Sequence, residues 1–222
     1  MAYTVGNNVL AQSPDGNGLT SGNIDTSGAN TLVGIFADYT GSSPTTISDS
    51  KSNIWNMRTS YANTVVRVRI GYAFNATVGS GHNFTAAGAV SFVSFIVVAL
   101  NGGDISSPYD VENGASGTSP ISTGSVTPGS NDEILLTGIG LQTSNDYAST
   151  APSGYTLINY GANIGSAFGV SLAYLIQTTA GASNPSWTAF IGTALAANIA
   201  TFKSAAAGGS SQVGRLGILG VN

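Results

Sequence analysis

Short apolar runs separated by turn residues dominate this chain, and no stretch shows the apolar period of a convincing helix. The most regular run is Thr64–Phe74. Successive side chains of a strand point to opposite faces, so this run predicts an apolar face and a polar face that meets solvent. The predicted apolar face carries Val66, Val68, Ile70 and Tyr72, and the predicted polar face carries Val65, Arg67, Arg69 and Gly71.

About ten such runs occur, bounded by Gly, Ser, Asn and Pro, and we predict a strand in each. Ser91–Leu100 and Glu133–Leu141 are apolar at nearly every position, which predicts central strands covered on both faces. We therefore predict an all-β, two-sheet antiparallel β-sandwich, jelly-roll-like, over residues 1–203, with residues 204–222 as a C-terminal extension. No repeat of fixed period is evident. The predicted core includes Val66, Val68, Ile70, Phe95, Val97, Leu135, Leu172 and Tyr174.

Composition narrows the classes of function. Only 7% of residues are charged, against a usual share of about 25%, so hydroxyl and amide side chains must keep the surface polar. With six Lys and Arg and a net charge of −4, we expect binding neither to nucleic acid nor to an anionic membrane. Cysteine is absent, which excludes thiol catalysis and thiolate zinc sites. The first residues do not resemble a signal peptide, and we expect synthesis in the cytoplasm.

Catalytic groups are scarce. His82 is the single histidine, and Asp49 or Asp104 could orient it in a triad, but no Gly-x-Ser-x-Gly elbow accompanies it. We interpret His82 as a surface residue. The two glutamates, Glu112 and Glu133, could in principle form a glycosidase pair, but Glu133 is interpreted as a solvated strand end. The sequence therefore predicts no catalytic residues.

Residues 101–131 are predicted to form a long loop rich in Gly, Ser, Pro and Thr. Asp104, Asp110 and Glu112 lie in it and could ligate Ca²⁺ through oxygen atoms, although the spacing matches no EF-hand. Asp49–Asn53 could likewise hold a cation, but an Asx turn is the favoured interpretation. We predict no metal and no cofactor, with Ca²⁺ left open as the alternative.

Aromatic side chains could stack on sugar rings. Trp55 and Trp187 lie in predicted strands, where a core position is more common. Tyr109 and Tyr147 lie in predicted loops. These two tyrosines are therefore our candidate surface and glycan contacts.

The extension has two parts. Residues 204–212 have the composition of a flexible linker that spans roughly 15 to 18 Å as a random coil. Residues 213–222 are apolar and contain glycine at every third position from Gly214. The segment could cover its own domain or add a strand to a neighbouring subunit, and we hypothesise that it is an assembly element. Its apolar residues are Val213, Leu216, Ile218, Leu219 and Val221.

Several short sequence segments, in this order along the chain, resemble a family of β-sandwich domains found in phage and environmental bacterial proteins. The segments are Thr31–Phe36, Ile47–Trp55, Ala151–Leu157, Ser186–Thr188 and Ala200–Lys203. Domains of this family resemble jelly-roll carbohydrate-binding and virion-surface domains. The matched segments mark turns and core aromatics, so the resemblance implies a fold, and it implies no catalytic residues.

Two hypotheses follow. The first is a structural protein of a virion surface, such as a capsid decoration protein, head fibre component or tail adsorption module. Its partners would be other virion proteins or copies of itself, and it would become extracellular on release. The second is a carbohydrate-binding module of a secreted or cell-surface protein. A hydrolase is a distant third interpretation.

Overall fold

The computed structural model describes residues 2–13, 19–87 and 91–206, which form sixteen β-strands and no helix. The predicted all-β class is confirmed, with more strands than the ten expected. The additional strands include β1 and β10, whose polar sequences hide the strand pattern. The strands are β1 (Thr4–Gln12), β2 (Leu19–Thr20), β3 (Thr31–Tyr39), β4 (Thr46–Asp49), β5 (Asn56–Met57), β6 (Tyr61–Ala62), β7 (Val66–Phe74), β8 (Phe84–Ala87), β9 (Ser94–Asn101), β10 (Tyr109–Gly117), β11 (Ile121–Ser122), β12 (Glu133–Leu141), β13 (Thr156–Gly161), β14 (Gly169–Gln177), β15 (Ser186–Trp187) and β16 (Leu195–Phe202).

Two large antiparallel sheets pack face to face. The first has the order β1-β9-β3-β7-β5, with β6 also paired to β7, and the second has the order β10-β16-β12-β14-β13. The core between them is built from alternate residues of the facing strands, among them Ile35, Val68, Ile96, Leu136 and Leu172. All eight predicted core residues are buried except Tyr174, which is half-buried.

Two small sheets cover the outer faces of the large ones. The β2-β8-β4 sheet packs on the first large sheet through Phe84, which lies in one cluster with Phe36 and Phe95. The β11-β15 ribbon packs on the second large sheet through Ile121 and Trp187. This layering confirms that the strands in Ser91–Leu100 and Glu133–Leu141 are covered on both faces.

The same layering overturns the prediction that the polar face of β7 meets solvent. Arg67 is buried beneath the β2-β8-β4 side of the molecule and pairs with Asp38. Arg69 is half-buried and donates to the carbonyl oxygen of Thr45. A charged residue in an alternating strand suggests contact with solvent, but here a carboxylate and two backbone carbonyls accept from Arg67, and one backbone carbonyl accepts from Arg69.

The two halves of the chain share one strand order, although the sequence shows no repeat. β1, β9, β3 and β7 of the first half correspond in order to β10, β16, β12 and β14 of the second. The edge pairs β1–β9 and β10–β16 each contain a register shift near the same end. The outer pairs β2–β8 and β11–β15 also correspond. Each large sheet is therefore built from one half of the chain.

The sandwich has two distinct ends. One, which we call the exit end, carries Phe74, Tyr109 and Phe202, and the described chain stops there at Ala206. The other, the aromatic end, carries the loops that contain Tyr39, Phe92 and Tyr147. β7 runs between the two ends, so its nine residues separate them by roughly 30 Å. No helix that could span a membrane occurs in the described part of the chain.

Candidate recognition surface

An aromatic stack of half-buried Tyr147 and exposed Phe190 lies at the aromatic end. The rings of Tyr147 and Phe190 are nearly parallel, with centroids 4.9 Å apart and an interplanar angle of 12°. Tyr160, on the edge strand β13, extends the surface with its ring 6.4 Å from that of Tyr147. Phe190 is 69% exposed although it is a large apolar residue. We call these three rings the platform.

A buried carboxylate fixes the platform. Asp146 accepts hydrogen bonds from the backbone N–H groups of Tyr147 (2.9 Å), Ile191 (2.8 Å) and Gly192 (2.9 Å). The N–H of Phe190 also donates to the carbonyl oxygen of Tyr147, at 2.9 Å. The β12–β13 and β15–β16 loops are therefore held together, and the two rings are positioned before any ligand arrives.

Hydroxyl groups surround the stack. Ser149, Thr150 and Thr188 are exposed and line a shallow depression of about 330 Å³ together with Tyr147 and Phe190. Sugars present C–H groups on one ring face and hydroxyls at the edge. An aromatic face attracts the C–H groups, and side-chain hydroxyls can exchange hydrogen bonds with the sugar hydroxyls.

A second aromatic feature, which we call the cleft, lies nearby. Its walls include Tyr39, Phe92 and Phe168, and its volume is about 450 Å³. The rings of Phe92 and Phe168 stack at 5.4 Å, and the N–H of Phe168 donates to the carbonyl oxygen of Phe92 at 2.8 Å. Phe92 has a φ of 57°, a left-handed conformation that a bulky residue adopts only when its surroundings impose it.

One short loop joins the platform and the cleft. Gln142 and Ser144 line the cleft, and Tyr147 belongs to the platform. Buried Asn163 donates to the carbonyl oxygens of Leu141 and Gln142, which holds this loop against the neighbouring one. The platform and the cleft therefore lie at the same end of the sandwich, on either side of this loop, and present aromatic faces, amides and hydroxyls.

Tyr147 thus lies on the surface predicted for it, whereas Tyr109 does not. Tyr109 lies in strand β10 and is half-buried. Its ring stacks on Tyr72 with centroids 6.1 Å apart, and the guanidinium carbon of Arg58 lies 3.6 Å from its ring centre. Its faces are occupied, so the expectation that Tyr109 is a free loop contact is wrong.

Phe190 and Tyr160 are not among the predicted contacts. Ser186–Ile191 is one of the short runs in which the sequence predicts a strand, but β15 ends at Trp187 and Phe190 lies in the following loop. The sequence did contain a signal, because Gly192 directly follows Phe190 and Ile191 and glycine favours turns. In the structure Gly192 has a φ of 68°, which places a turn there.

His82 is not the surface residue predicted. It is fully buried, its Nδ1 lies 2.9 Å from the hydroxyl of Thr26, and its ring stacks on Phe84 at 4.5 Å. Its Nε2 lies 3.1 Å from Oδ1 of Asp49 but is not aligned for a good hydrogen bond. Through these contacts His82 connects the segment Ile24–Thr26 to the residues just before β8. Thr26 is itself buried.

The acidic residues are dispersed. Glu112 pairs with Arg58 at 3.3 Å, Asp104 accepts from the N–H groups of Ser106 and Ser107, and Asp110 accepts from the N–H of Gly129. Within the described ranges, no three His, Asp or Glu side chains are grouped closely enough to hold a metal ion. The structure therefore does not bring together the three residues predicted as alternative Ca²⁺ ligands. Residues 101–131 also contain strands β10 and β11 rather than one long loop.

Glu133 is fully buried, so its interpretation as a solvated strand end is wrong. Its Oε1 accepts from the N–H of Ser130 at 3.0 Å, whereas Oε2 is buried with no hydrogen-bond partner among the described residues. Burial raises the pKa of this carboxyl, and the negative charge of Asp110 raises it further.

The Asx turn predicted at Asp49–Asn53 is present. Oδ1 of Asp49 accepts from the N–H of Lys51 at 2.8 Å, and Oδ2 accepts from Nε1 of Trp55 at 2.6 Å. Burial opposes ionisation of Asp49, but these hydrogen bonds outweigh it and lower its pKa.

Trp187 is fully buried and its Nε1 donates to the hydroxyl of Thr137.

The predicted assembly segment, residues 213–222, lies outside the described residues. Comparisons with known proteins give no match to a family model, to a curated protein or to a solved structure. The resemblance to phage and bacterial β-sandwich domains therefore stays a prediction.

Proposed function

We propose that this chain is a non-enzymatic structural protein of a virion surface that presents its aromatic end to glycans. The observation that carries the proposal is the Tyr147–Phe190 stack, held by Asp146 and surrounded by hydroxyl groups. A preorganised aromatic surface binds with little loss of conformational entropy.

The polarity of the sandwich also supports display on a particle. The described chain stops at Ala206 at the exit end, roughly 30 Å from the platform. Attachment through residues 213–222 would leave the platform facing outwards. Copies assemble through this segment, and truncation after Gly209 tests that part of the proposal by its effect on oligomeric mass and particle binding.

A glycan array probed with the full chain tests recognition. We expect Phe190→Ala to weaken binding of any glycan found by about tenfold or more, which corresponds to ~1.4 kcal/mol. Phe190→Trp should retain binding because it keeps an aromatic face, and Thr179→Ala, which removes an exposed hydroxyl elsewhere, should leave binding unchanged. Equal binding by Phe190→Ala and the unmodified chain would refute the proposed role of the platform.

The second candidate is a carbohydrate-binding module of a secreted or cell-surface protein, which the same platform would serve. The two differ in location. Detection of the chain in purified virions, or its gene beside capsid and tail genes, supports the first; neighbouring glycanase or adhesin genes support the second. In either role we expect no turnover of glycans or esters, and turnover lost in His82→Ala or Glu133→Gln would contradict this.

A further inference from the structure

A groove at the exit end has the chemistry of a peptide-binding site. It is lined by Ile54, Phe74 and Ile105 together with the amide side chains of Asn53, Asn56 and Asn75, and its volume is about 370 Å³. Ile54 is 84% exposed and Ile105 is 53% exposed. Isoleucines this exposed on neighbouring loops leave apolar area uncovered.

The groove lies at an open sheet edge. β5 and β6 both pair with β7, and among the described residues no strand pairs with their far side. Asn56 begins β5, so an added peptide would find backbone groups next to the apolar wall. No lining residue is charged, which favours a neutral apolar segment over a charged one.

The chain itself contains such a segment, and the described residues end beside the groove. The described chain ends at Ala206, in a depression that Asp104 also lines, and Ile105 is the next residue along. Residues 207–212 span about 13 Å as a random coil and at most about 20 Å when extended. They are followed by residues 213–222, which carry five large apolar side chains and one charge, Arg215.

We infer that the groove at Ile54, Phe74 and Ile105 binds residues 213–222 of a second copy of this chain. This inference rests on the proposed assembly through that segment and names its receptor. Because the described chain ends at the same end of the sandwich as the groove, a twofold pair of copies could satisfy both sites at once. The low net charge of −4 adds little repulsion between copies.

Disulfide trapping tests the inference, since the chain has no cysteine of its own. One full-length chain carries Ile105→Cys and a second, distinguishable by mass, carries Leu216→Cys. The two are mixed and oxidised. The matched control replaces Ile105→Cys with Ile164→Cys, which is also 53% exposed but lies at the aromatic end. A disulfide requires the two Cα atoms to approach within about 7 Å.

We expect the mixed pair to form at least tenfold more inter-chain disulfide than the control, and Ile54→Asn on the receptor chain to reduce it. A chain carrying both Ile105→Cys and Leu216→Cys tests the alternative, in which the groove binds residues 213–222 of the same chain. If it closes an internal disulfide on dilution while the mixed pair does not cross-link, the segment covers its own domain and the inference is wrong.

The combined results of truncation and cross-linking can refute the groove as the receptor without refuting assembly through residues 213–222. If truncation after Gly209 lowers the oligomeric mass but cross-linking stays at the control level, the segment assembles at another surface and only the groove is refuted. If truncation leaves the mass unchanged, assembly through this segment is itself refuted, and the groove inference falls with it.

Discussion

Arg67 donates from Nε to Oδ1 of Asp38 at 2.6 Å, across the β3–β7 pair in which the two residues are direct neighbours. Both side chains are buried. Asp38 also accepts two hydrogen bonds from Thr45, through the backbone N–H and the hydroxyl. This carboxylate therefore neutralises a buried guanidinium and anchors the start of the β4 segment.

We expect Asp38→Ala to destabilise the fold by about 3 to 5 kcal/mol, because it leaves a buried cation without its partner. Denaturant unfolding measures the change. Adding Arg67→Met to Asp38→Ala should recover part of the loss, since it removes the unpaired charge. A loss below about 1 kcal/mol for Asp38→Ala would mean that solvent reaches Arg67.

Gly138 is required by the close approach of the two large sheets. A Cβ at this position would lie 2.3 Å from Cδ1 of Ile35 and 3.1 Å from the carbonyl oxygen of Ser171. We expect Gly138→Ala to cost about 1 to 3 kcal/mol of unfolding free energy through overpacking. Gly117→Ala, where nothing lies within 4 Å, is the matched control and should be neutral or slightly stabilising. Similar unfolding midpoints for both variants would show that the sheets can separate locally.

Glu133 should make stability fall as pH rises. Burial, and then the charge of Asp110, raise the pKa of Glu133 in the folded state above its unfolded value. Its contribution to stability is complete below the ordinary carboxyl pKa and is lost as pH rises through the raised pKa.

Glu133→Gln stays neutral and should therefore gain stability relative to the unmodified chain as pH rises from about 4.3, the ordinary Glu pKa, through the raised pKa of Glu133. Thermal unfolding across that range measures the difference. A constant difference between Glu133→Gln and the unmodified chain at every pH would contradict the expected titration.

Asp146 is expected to position the platform. Asp146→Ala leaves three backbone N–H donors without their acceptor, and each unsatisfied buried donor costs about 1 to 3 kcal/mol. We expect hydrogen exchange to accelerate at Ile191 and Gly192 beyond any global change, and less so in Asp146→Asn, which keeps one acceptor oxygen. Unchanged exchange at these amides would show that the loops hold together without the carboxylate.

Much of the fold follows from the sequence, because apolar alternation and turn residues report directly on strands. β7, β9 and β12 lie where the pattern predicts them. The buried positions of His82 and Glu133 could not be predicted in this way. Each is buried by segments distant in sequence, and local patterns carry no information about which polar side chains will find partners there.

The candidate surface was only partly predictable, for a related reason. Tyr147 follows β12 in a loop, and an aromatic residue in such a loop favours exposure. Phe190 lies in an apolar run that resembles a strand, but its N–H donates to the carbonyl oxygen of Tyr147 and the following N–H groups of Ile191 and Gly192 donate to Asp146, which holds it in a loop. Tyr109 fails as a contact because residues 109–117 pair with β16, a contact between segments some 90 positions apart.

The shared strand order of the two halves has a consequence for the origin of this chain. A single sheet with one apolar face is not stable alone, and pairing with an identical sheet covers that face. Duplication and fusion of one such ancestral unit produces two consecutive halves with matching orders, as β1-β9-β3-β7 and β10-β16-β12-β14 have. The loops of the two halves are not equivalent: the aromatic surface draws mainly on loops of the second half and is completed by Tyr39 and Phe92 of the first, so matching strand orders carry unequal loops.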